Sequence, residues 1–408
     1  MPKIQIITNL FHPDELAGAA LFSDLSQFLH ERGHDVRVLC TFSYYPAWRL
    51  RREDCGVGVR EEQWKGIPLK RISMYVPNRA SGVRRMLSDL SFFLSILIRN
   101  GFRGWKPDVI LTASPMFSQC LAQRFIYPFR SISRMIVVQD FVVDAALELG
   151  ILKLSLIGIP LRWLERWSFR SAATLSTISD AMLEKLKGIV GDDRRLILIS
   201  NWIHQSIANE IVRQRQSALI RREGILLYSG NLGVKQGLPQ FLEVFQLGRD
   251  NWSLEIHGGG AELGRMRDAV KDAPGVTLGE VLPETDYVTK LLTTSVCLVT
   301  QMPGVGANFL PSKLLPALAA GTPVLAVCEK DSPLGREVVR GQFGDVVPPG
   351  NVERLRSVLR HWRANPDILR TYSANALGWA GRYSRDHVLG QYEAELLKLV
   401  AQGSKQNS

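Results

Sequence analysis

Lys313 heads a short apolar stretch, Lys313-Leu-Leu-Pro-Ala-Leu-Ala-Ala-Gly321, and phosphate binding is the chemistry its surroundings suit. Pro311 and Ser312 supply a helix start signal, with Ser312 as the expected N-cap. Gly321 falls where a helix end needs a left-handed residue, and Pro323 prevents continuation into Val324-Leu-Ala-Val-Cys328, a run suited to a buried parallel strand. Free amides and the dipole at such a helix start favour an anion, whereas a lysine in the first turn opposes the dipole unless an anion is bound. An ordinary connection bearing a solvated lysine accounts for the same spacing. Asp140 is the second candidate, an acid delivered to the end of the strand Met135–Val138; an N-cap is the bland alternative. Gly18 is the third. It opens a helix beyond a strand end, where a missing Cβ lets backbone amides approach a phosphate, though a plain turn glycine would look alike.

The elements needed to hold these groups follow from alternation. Strands are expected at Ile4–Asn9, Asp35–Cys40, Ile72–Val76, Asp108–Thr112, Met135–Val138, Thr174–Ile178 and Arg195–Ser200, with helices between. A second series follows at Ile225–Ser229, Trp252–His257, Val276–Leu278, Val296–Thr300, Val324–Val327 and Asp345–Val347. The fold expected is α/β, two Rossmann-like βαβ halves facing each other across a cleft. The domains are 1–202, a polar linker at 203–224, 225–380, a last helix at 381–402 that crosses back to the first domain, and a disordered tail at 403–408. Leu152–Phe169 reads as an amphipathic helix whose Trp163 and Trp167 are a core pair.

With 408 residues, 46% hydrophobic and 22% charged, the chain is an ordinary globular protein with ample core. Its net charge of +11 is uneven, since Arg49 to Lys106 holds thirteen Lys/Arg against five Asp/Glu. Nucleic acid, acidic lipid and phosphorylated substrate all fit such a patch, but no nucleic-acid motif accompanies it, and no nucleic-acid partner is expected. Val83–Asn100 is a helix with Arg84, Arg85 and Arg99 at its basic ends. It suits the surface of an anionic membrane, and a buried core helix explains its apolar part equally well. The five scattered cysteines read as free thiols in a reducing cytosol. Seven histidines without paired spacing argue against a catalytic metal, and no apolar run is long enough to span a bilayer. Gly258-Gly-Gly-Ala-Glu-Leu-Gly264 fails GxGxxG, and no Walker A or GxSxG pattern occurs, which disfavours dinucleotide dehydrogenases, P-loop enzymes and serine hydrolases.

Five ordered signals are left: the His12-Pro…Gly18 loop, Gln139-Asp140, Tyr228-Ser-Gly-Asn231…Gly237, Ile256-His-Gly-Gly-Gly260 and Pro311-Ser-Lys…Ala-Gly-Thr-Pro-Val324. Together they resemble the retaining family 4 glycosyltransferases of the GT-B fold, from Ile4 to about Leu397. The wording looks like the bacterial subgroup typified by the colanic-acid fucosyltransferases, which build exopolysaccharide or lipopolysaccharide repeat units on a lipid carrier.

The resemblance implies roles position by position. Gly18 would offer amides to the donor phosphates, and Asp140 would face the transferred sugar or the acceptor hydroxyl. Lys235, Lys313 and the amides around Ser312 and Leu314 would meet the diphosphate, with Asn231 in the loop before Lys235. His257, Gly258, Gly260, Gly279 and Glu280 would border the nucleotide base. The family's two glutamates fall at Asn308, which retains a hydrogen-bonding side chain, and at Pro316, which does not. Gln139 replaces the usual histidine and Asn231 the usual arginine, while ungapped counting puts the family lysine at Gln236 rather than Lys235. The expected activity is transfer of a sugar from a nucleotide diphospho-sugar, with retention and without metal or other cofactor. The expected acceptor is a polyprenyl-diphosphate-linked saccharide, docked near Arg84, Arg85 and Arg99 on the inner leaflet of the cytoplasmic membrane. A non-catalytic donor- or membrane-binding partner of another transferase, and a nucleotide-sugar epimerase, are the alternatives.

Overall fold

The computed structural model describes residues 1–14, 17–45, 47–78, 82–99, 101–114, 117–127, 132–141, 159–191, 195–217, 219–304 and 310–406. The chain forms two compact units. One comprises Met1–Ile178, Met182–Ser200 and Leu389–Ser408, and the other Ser179–Ala181 and Asn201–Val388.

The first unit runs β1 (Lys3–Ile7), α1 (Ala17–Glu31), β2 (Asp35–Thr41), β3 (Val59–Trp64), β4 (Ile67–Ile72), α2 (Gly82–Arg99), β5 (Val109–Ala113) and α3 (Phe117–Ala122). It continues through β6 (Ser133–Val138), α4 (Ile159–Phe169), β7 (Thr174–Thr177), α5 (Asp180–Val190) and β8 (Arg195–Leu198). The sheet order is β3-β4-β2-β1-β5-β6-β7-β8, parallel throughout except for the β3–β4 pair. Every residue of β5 is buried, as expected of a central parallel strand covered on both faces. In α1, Leu21, Phe22, Leu25, Phe28 and Leu29 are buried, and Gly33 closes the helix with a left-handed φ of +88°.

The second unit runs α6 (Gln205–Arg215), β9 (Ile225–Ser229), α7 (Leu238–Gly248), β10 (Ser253–His257), α8 (Leu263–Lys271), β11 (Val276–Gly279), α9 (Glu284–Thr293) and β12 (Val296–Thr300). After it come α10 (Leu314–Ala319), β13 (Val324–Val327), α11 (Pro333–Gly341), β14 (Gly344–Val347), α12 (Val352–Ala364) and α13 (Pro366–Ala380). Its strands are all parallel, in the order β11-β10-β9-β12-β13-β14. The last helix, α14 (Arg385–Gln406), lays Leu389, Tyr392, Leu396 and Leu399 into the first unit. There Glu395 accepts hydrogen bonds from Thr174 (3.0 Å) and Arg195 (2.9 Å).

In each sheet the connections diverge at one point, between β1 and β5 and between β9 and β12, and open α/β sheets hold ligands at the strand ends beside such a point.

Three expectations need correction. The strand expected at Ile72–Val76 is instead β4, ending at Ile72 and paired antiparallel with β3. The turn between them, Lys65-Gly66, has φ of +49° and +82°, the two-residue geometry that suits hairpin twist. The stretch read as a linker contains α6, whose Ile211 is buried in the second unit's core. Trp163 is exposed rather than a core residue, although its ring stacks on Trp167 at 6.2 Å.

Candidate functional site

In the second unit, β9 delivers Tyr228 and then Gly230 to the C-terminal edge of the sheet. Tyr228 is fully buried and its hydroxyl donates to the Asn231 carbonyl (2.7 Å), which presents one ring face to Lys313. The Lys313 Nζ lies 3.7 Å from the centroid of that ring. Lys313 is half-buried as a residue, but its Nζ is shielded from solvent and has no hydrogen-bond partner among the described residues. Burial lowers its pKa to about 7, with the nearby Cys297 acting weakly in the other direction. A cation–π contact is worth about 0.5–2 kcal/mol, less than the loss of ammonium hydration. The geometry is therefore a cation short of an anion.

The local sequence fixes this position. Lys313 already has helical angles (φ −66°, ψ −18°), and α10 starts at Leu314, whose side chain is fully buried. The expected cap at Ser312 is not formed. Its carbonyl accepts from Leu315 N (3.2 Å), its side chain is exposed, and no side chain caps the helix, because the turn closes through main-chain carbonyls. Pro316 is the third residue of α10, where an N–H has no intrahelical acceptor anyway, so the proline breaks no bond. Asn308 lies outside the described residues.

Two glycine-rich loops abut Tyr228. Gly230 N donates to His257 O (2.9 Å) and Leu232 N to Gly259 O (2.8 Å), which fastens them together through the main chain. A Cβ on Gly258 would stand 1.9 Å from Gly230 O, and one on Gly260 would stand 2.5 Å from Asn231 Oδ1. Only glycines permit this approach. His257 rests its ring over Gly279, where a Cβ would come within 2.6 Å of Nδ1. Burial and then Lys290 lower the His257 pKa, with the Glu280 main chain opposing, which favours the neutral imidazole. The Glu280 side chain is exposed. Lys235 sits exposed in the 3-10 turn Val234–Gln236, while Gln236 turns inward and accepts from Gly233 N (3.1 Å). Of the two lysine registers, the cation is thus the residue left free toward solvent. Sequence reasoning missed Tyr228 as the platform for Lys313 and Gly279 as the seat of His257. It also missed the Thr300 hydroxyl at the end of β12, buried without a partner among the described residues.

In the first unit, Asp140 lies exposed two residues beyond β6, and its Oδ1 accepts from Phe141 N (2.9 Å). Gly18 is the second residue of α1, and a Cβ there would meet nothing within 4 Å, so no contact within the chain requires a glycine. The loop before α1 is held by the buried Asp14, which accepts from Ser43 Oγ (2.7 Å) and from Tyr44 and Tyr45 N (3.1 Å each). Arg71 supports it from below, donating to His12 O (2.6 Å).

Helix α2 buries Phe92 and Ile96 and leaves Leu87, Leu90, Leu94 and Ile98 outward, Ile98 to 76%. Rings continue the surface from Phe93 through Phe125 to Trp167 and Trp163 on α4, where Ile159 is also exposed. Arg84 and Arg85 flank the stripe, Arg85 with its guanidinium 5.2 Å from the Trp48 ring centroid. Arg99 is turned back, donating to Ser95 Oγ (3.1 Å). Among the described residues no group of three or more His, Cys, Asp or Glu could hold a metal, and no helix is long and apolar enough to cross a membrane.

Comparison with known proteins gives a consistent picture. Residues 18–202 match the model of the glycosyl transferase 4-like domain, and residues 211–379 that of glycosyl transferases group 1. The chain is 28% identical, over 95% of its length and 98% of the relative's, to the putative colanic acid biosynthesis glycosyl transferase WcaI of Escherichia coli K12. It is 25% identical to the probable glycosyltransferase WbjE of Pseudomonas aeruginosa over 63% of this chain and 64% of that one. Among solved structures, sucrose-phosphate synthase from Thermosynechococcus elongatus superposes with a TM-score of 0.71 at 15% identity, covering 98% of this chain and all of that one. HepE of Anabaena, solved with UDP, superposes with a TM-score of 0.65 at 14% identity over 97% of this chain and 100% of that one. At such identities the structures speak to the fold alone, and that fold is GT-B.

Proposed function

The chain belongs to the glycosyltransferases of the GT-B fold, a 4-like domain joined to a group 1 domain, and from that premise we propose that it moves a sugar from a nucleotide diphospho-sugar, with retention, to a saccharide carried on polyprenyl diphosphate. The observation that carries this reading is the buried Lys313 ammonium with no anion of its own. A diphosphate is the anion such a site takes. As the bond to the anomeric carbon breaks, negative charge grows on the leaving phosphate, and a preorganised cation screened from water stabilises it most at that moment. Lys235, exposed on its turn, adds charge at the same sheet edge, and the neutral His257 with Gly258 and Gly260 offers an uncharged wall for the base. Asp140 is assigned to the transferred sugar or acceptor hydroxyl and Gly18 to the donor phosphates, as the resemblance implies. Exopolysaccharide or lipopolysaccharide assembly is supported by what the relatives are named for. The apolar stripe of α2 and α4, with Arg84 and Arg85, supports a place on the inner face of the cytoplasmic membrane, where a lipid-linked acceptor resides.

The test is a nucleotide-sugar panel assayed for nucleoside diphosphate release, with and without lipid-linked acceptor extract. Acceptor-dependent release with one donor is expected, undiminished by EDTA because Lys313 supplies the cation, and NMR of the product should show the donor's anomeric configuration. Donor binding without turnover under any condition would transfer the chain to the class of non-catalytic partners, a reading that Pro316 in a glutamate's place motivates.

A further inference from the structure

We propose that the second unit holds another ligand site, unrelated to sugar transfer: a cavity of about 500 Å³ at the opposite end of its sheet, which takes the phosphate monoester of a small molecule. Tyr228 and His257 lie at the C-terminal ends of their strands, whereas this cavity is lined where strands begin, by Gly224 before β9, Trp252 before β10 and Ser295 before β12. The helices α12 and α13 close it from the side. Its volume lies within the roughly 300–1,000 Å³ that small-molecule sites occupy.

The charges select the ligand. Arg221, Arg222, Arg363 and Arg370 line the cavity against the single carboxylate of Glu223. Arg222 is paired with Glu255 (2.8 Å), a carboxylate it shares with Lys290 (2.6 Å), and Arg370 with Asp367 (2.8 Å). Arg221 and Arg363 have no carboxylate partner among the described residues. Arg221 donates to the carbonyls of Ala320 (3.2 Å) and Gly321 (2.6 Å), Arg363 to that of Asp250 (3.4 Å). Burial and then Arg215 act on Arg221 to disfavour its charged form, which an incoming anion would relieve. Two uncompensated guanidinium groups match the charge of a phosphate monoester near neutral pH, and their planar forks match its oxygens. Trp252 and Trp362, whose indole N–H groups go to Leu359 O (3.2 Å) and Asp345 Oδ2 (3.0 Å), are almost wholly buried behind the lining, and Pro366 and Leu369 border the volume left beside the arginines for the rest of the molecule.

The experiment is calorimetry of the full chain with ribose 5-phosphate as probe, and with ribose and inorganic phosphate as controls. Saturable binding is expected in the wild type and equally in Lys313→Ala. Arg363→Glu should weaken it by at least about tenfold with an unchanged melting temperature, since Arg363 is exposed. Arg363→Gln, which removes the charge without adding one, serves as the second variant should Arg363→Glu melt early. Loss of binding in Lys313→Ala with none in the arginine variants would place the probe at the other sheet edge and overturn the proposal. So would the absence of saturable binding at millimolar probe, or inorganic phosphate binding as tightly as the sugar phosphate.

Discussion

An ammonium taken out of water without a counter-charge destabilises the protein that holds it, and Lys313 shows the consequence in its pKa. The ordinary value of 10.5 falls to about 7. Below pH 7 folded and unfolded chains both carry the proton, so the penalty is fully felt. Between about 7 and 10.5 only the unfolded chain holds it, so stability of the unliganded protein should climb with pH across that window. Lys313→Met should flatten this climb and raise the melting temperature at neutral pH. The same variant should lose about 1.5–3 kcal/mol of transition-state stabilisation, roughly ten- to a hundredfold in kcat/KM. Pairing with a diphosphate restores the proton, and calorimetry in buffers of different ionisation enthalpy should register its uptake. Melting curves indifferent to pH in both proteins would refute the buried placement. Gly258 makes a steric counterpart. With Gly230 O 1.9 Å from where its Cβ would stand, Gly258→Ala must part the two loops, at about 1–3 kcal/mol by denaturant midpoint and with loss of donor affinity.

Helix α2 was legible as an element but not as a surface. Its apolar residues recur at helical spacing on two sides, and only packing reveals that Phe92 and Ile96 face the sheet while Leu90, Leu94 and Ile98 do not. Substituting Leu90→Asp with Ile98→Asp should weaken binding to anionic vesicles and leave the melting temperature in place, because neither side chain supports the core. Arg84→Glu with Arg85→Glu should remove about 1 kcal/mol per charge, an effect that high salt abolishes. Vesicle binding unmoved by all four changes would end the membrane assignment. The elements that escaped sequence reading share a cause. Both β3, an edge strand of charged residues, and α6, a polar helix with Ile211 as its buried anchor, lack the apolar periodicity that marks an element from a distance. The Lys65-Gly66 turn was a signal available for the first, weaker than Asn-Gly.

At the scale of the molecule, the chain completes the first unit only after building the second. The first unit's sheet is finished at Leu198, yet Leu389, Tyr392, Leu396 and Leu399 are buried in it, and Glu395 lies between Thr174 and Arg195. A protein ending at Val388 should therefore lose cooperative melting of the first unit while the second melts as before. Breaking the buried Glu395 contacts alone should destabilise by about 3 kcal/mol. The fragment Asn201–Val388 should fold by itself and bind nucleoside diphosphate through Lys313. A fragment that folds without binding would show that the second unit does not hold the donor alone.

The sequence by itself determined the alternation of apolar strands with helices, β3 and α6 excepted, because buried parallel strands must be apolar runs and their connections must carry turn and cap signals. It also placed Gly258 and Asp140 at strand ends and Lys313 at a helix start, since each motif adjoins its element in the chain. Tertiary structure alone decided what those residues meet. The Lys313 ammonium owes its lowered pKa to burial and its cation–π contact to Tyr228, far away in sequence, and Gly258 owes its necessity to Gly230. Ser312, a good cap by residue type, caps nothing because Lys313 already takes helical angles and its own carbonyl closes the turn. Local rules act between neighbours in the chain, whereas desolvation and steric fit act between neighbours in space, and the chemistry of this site depends on the second kind.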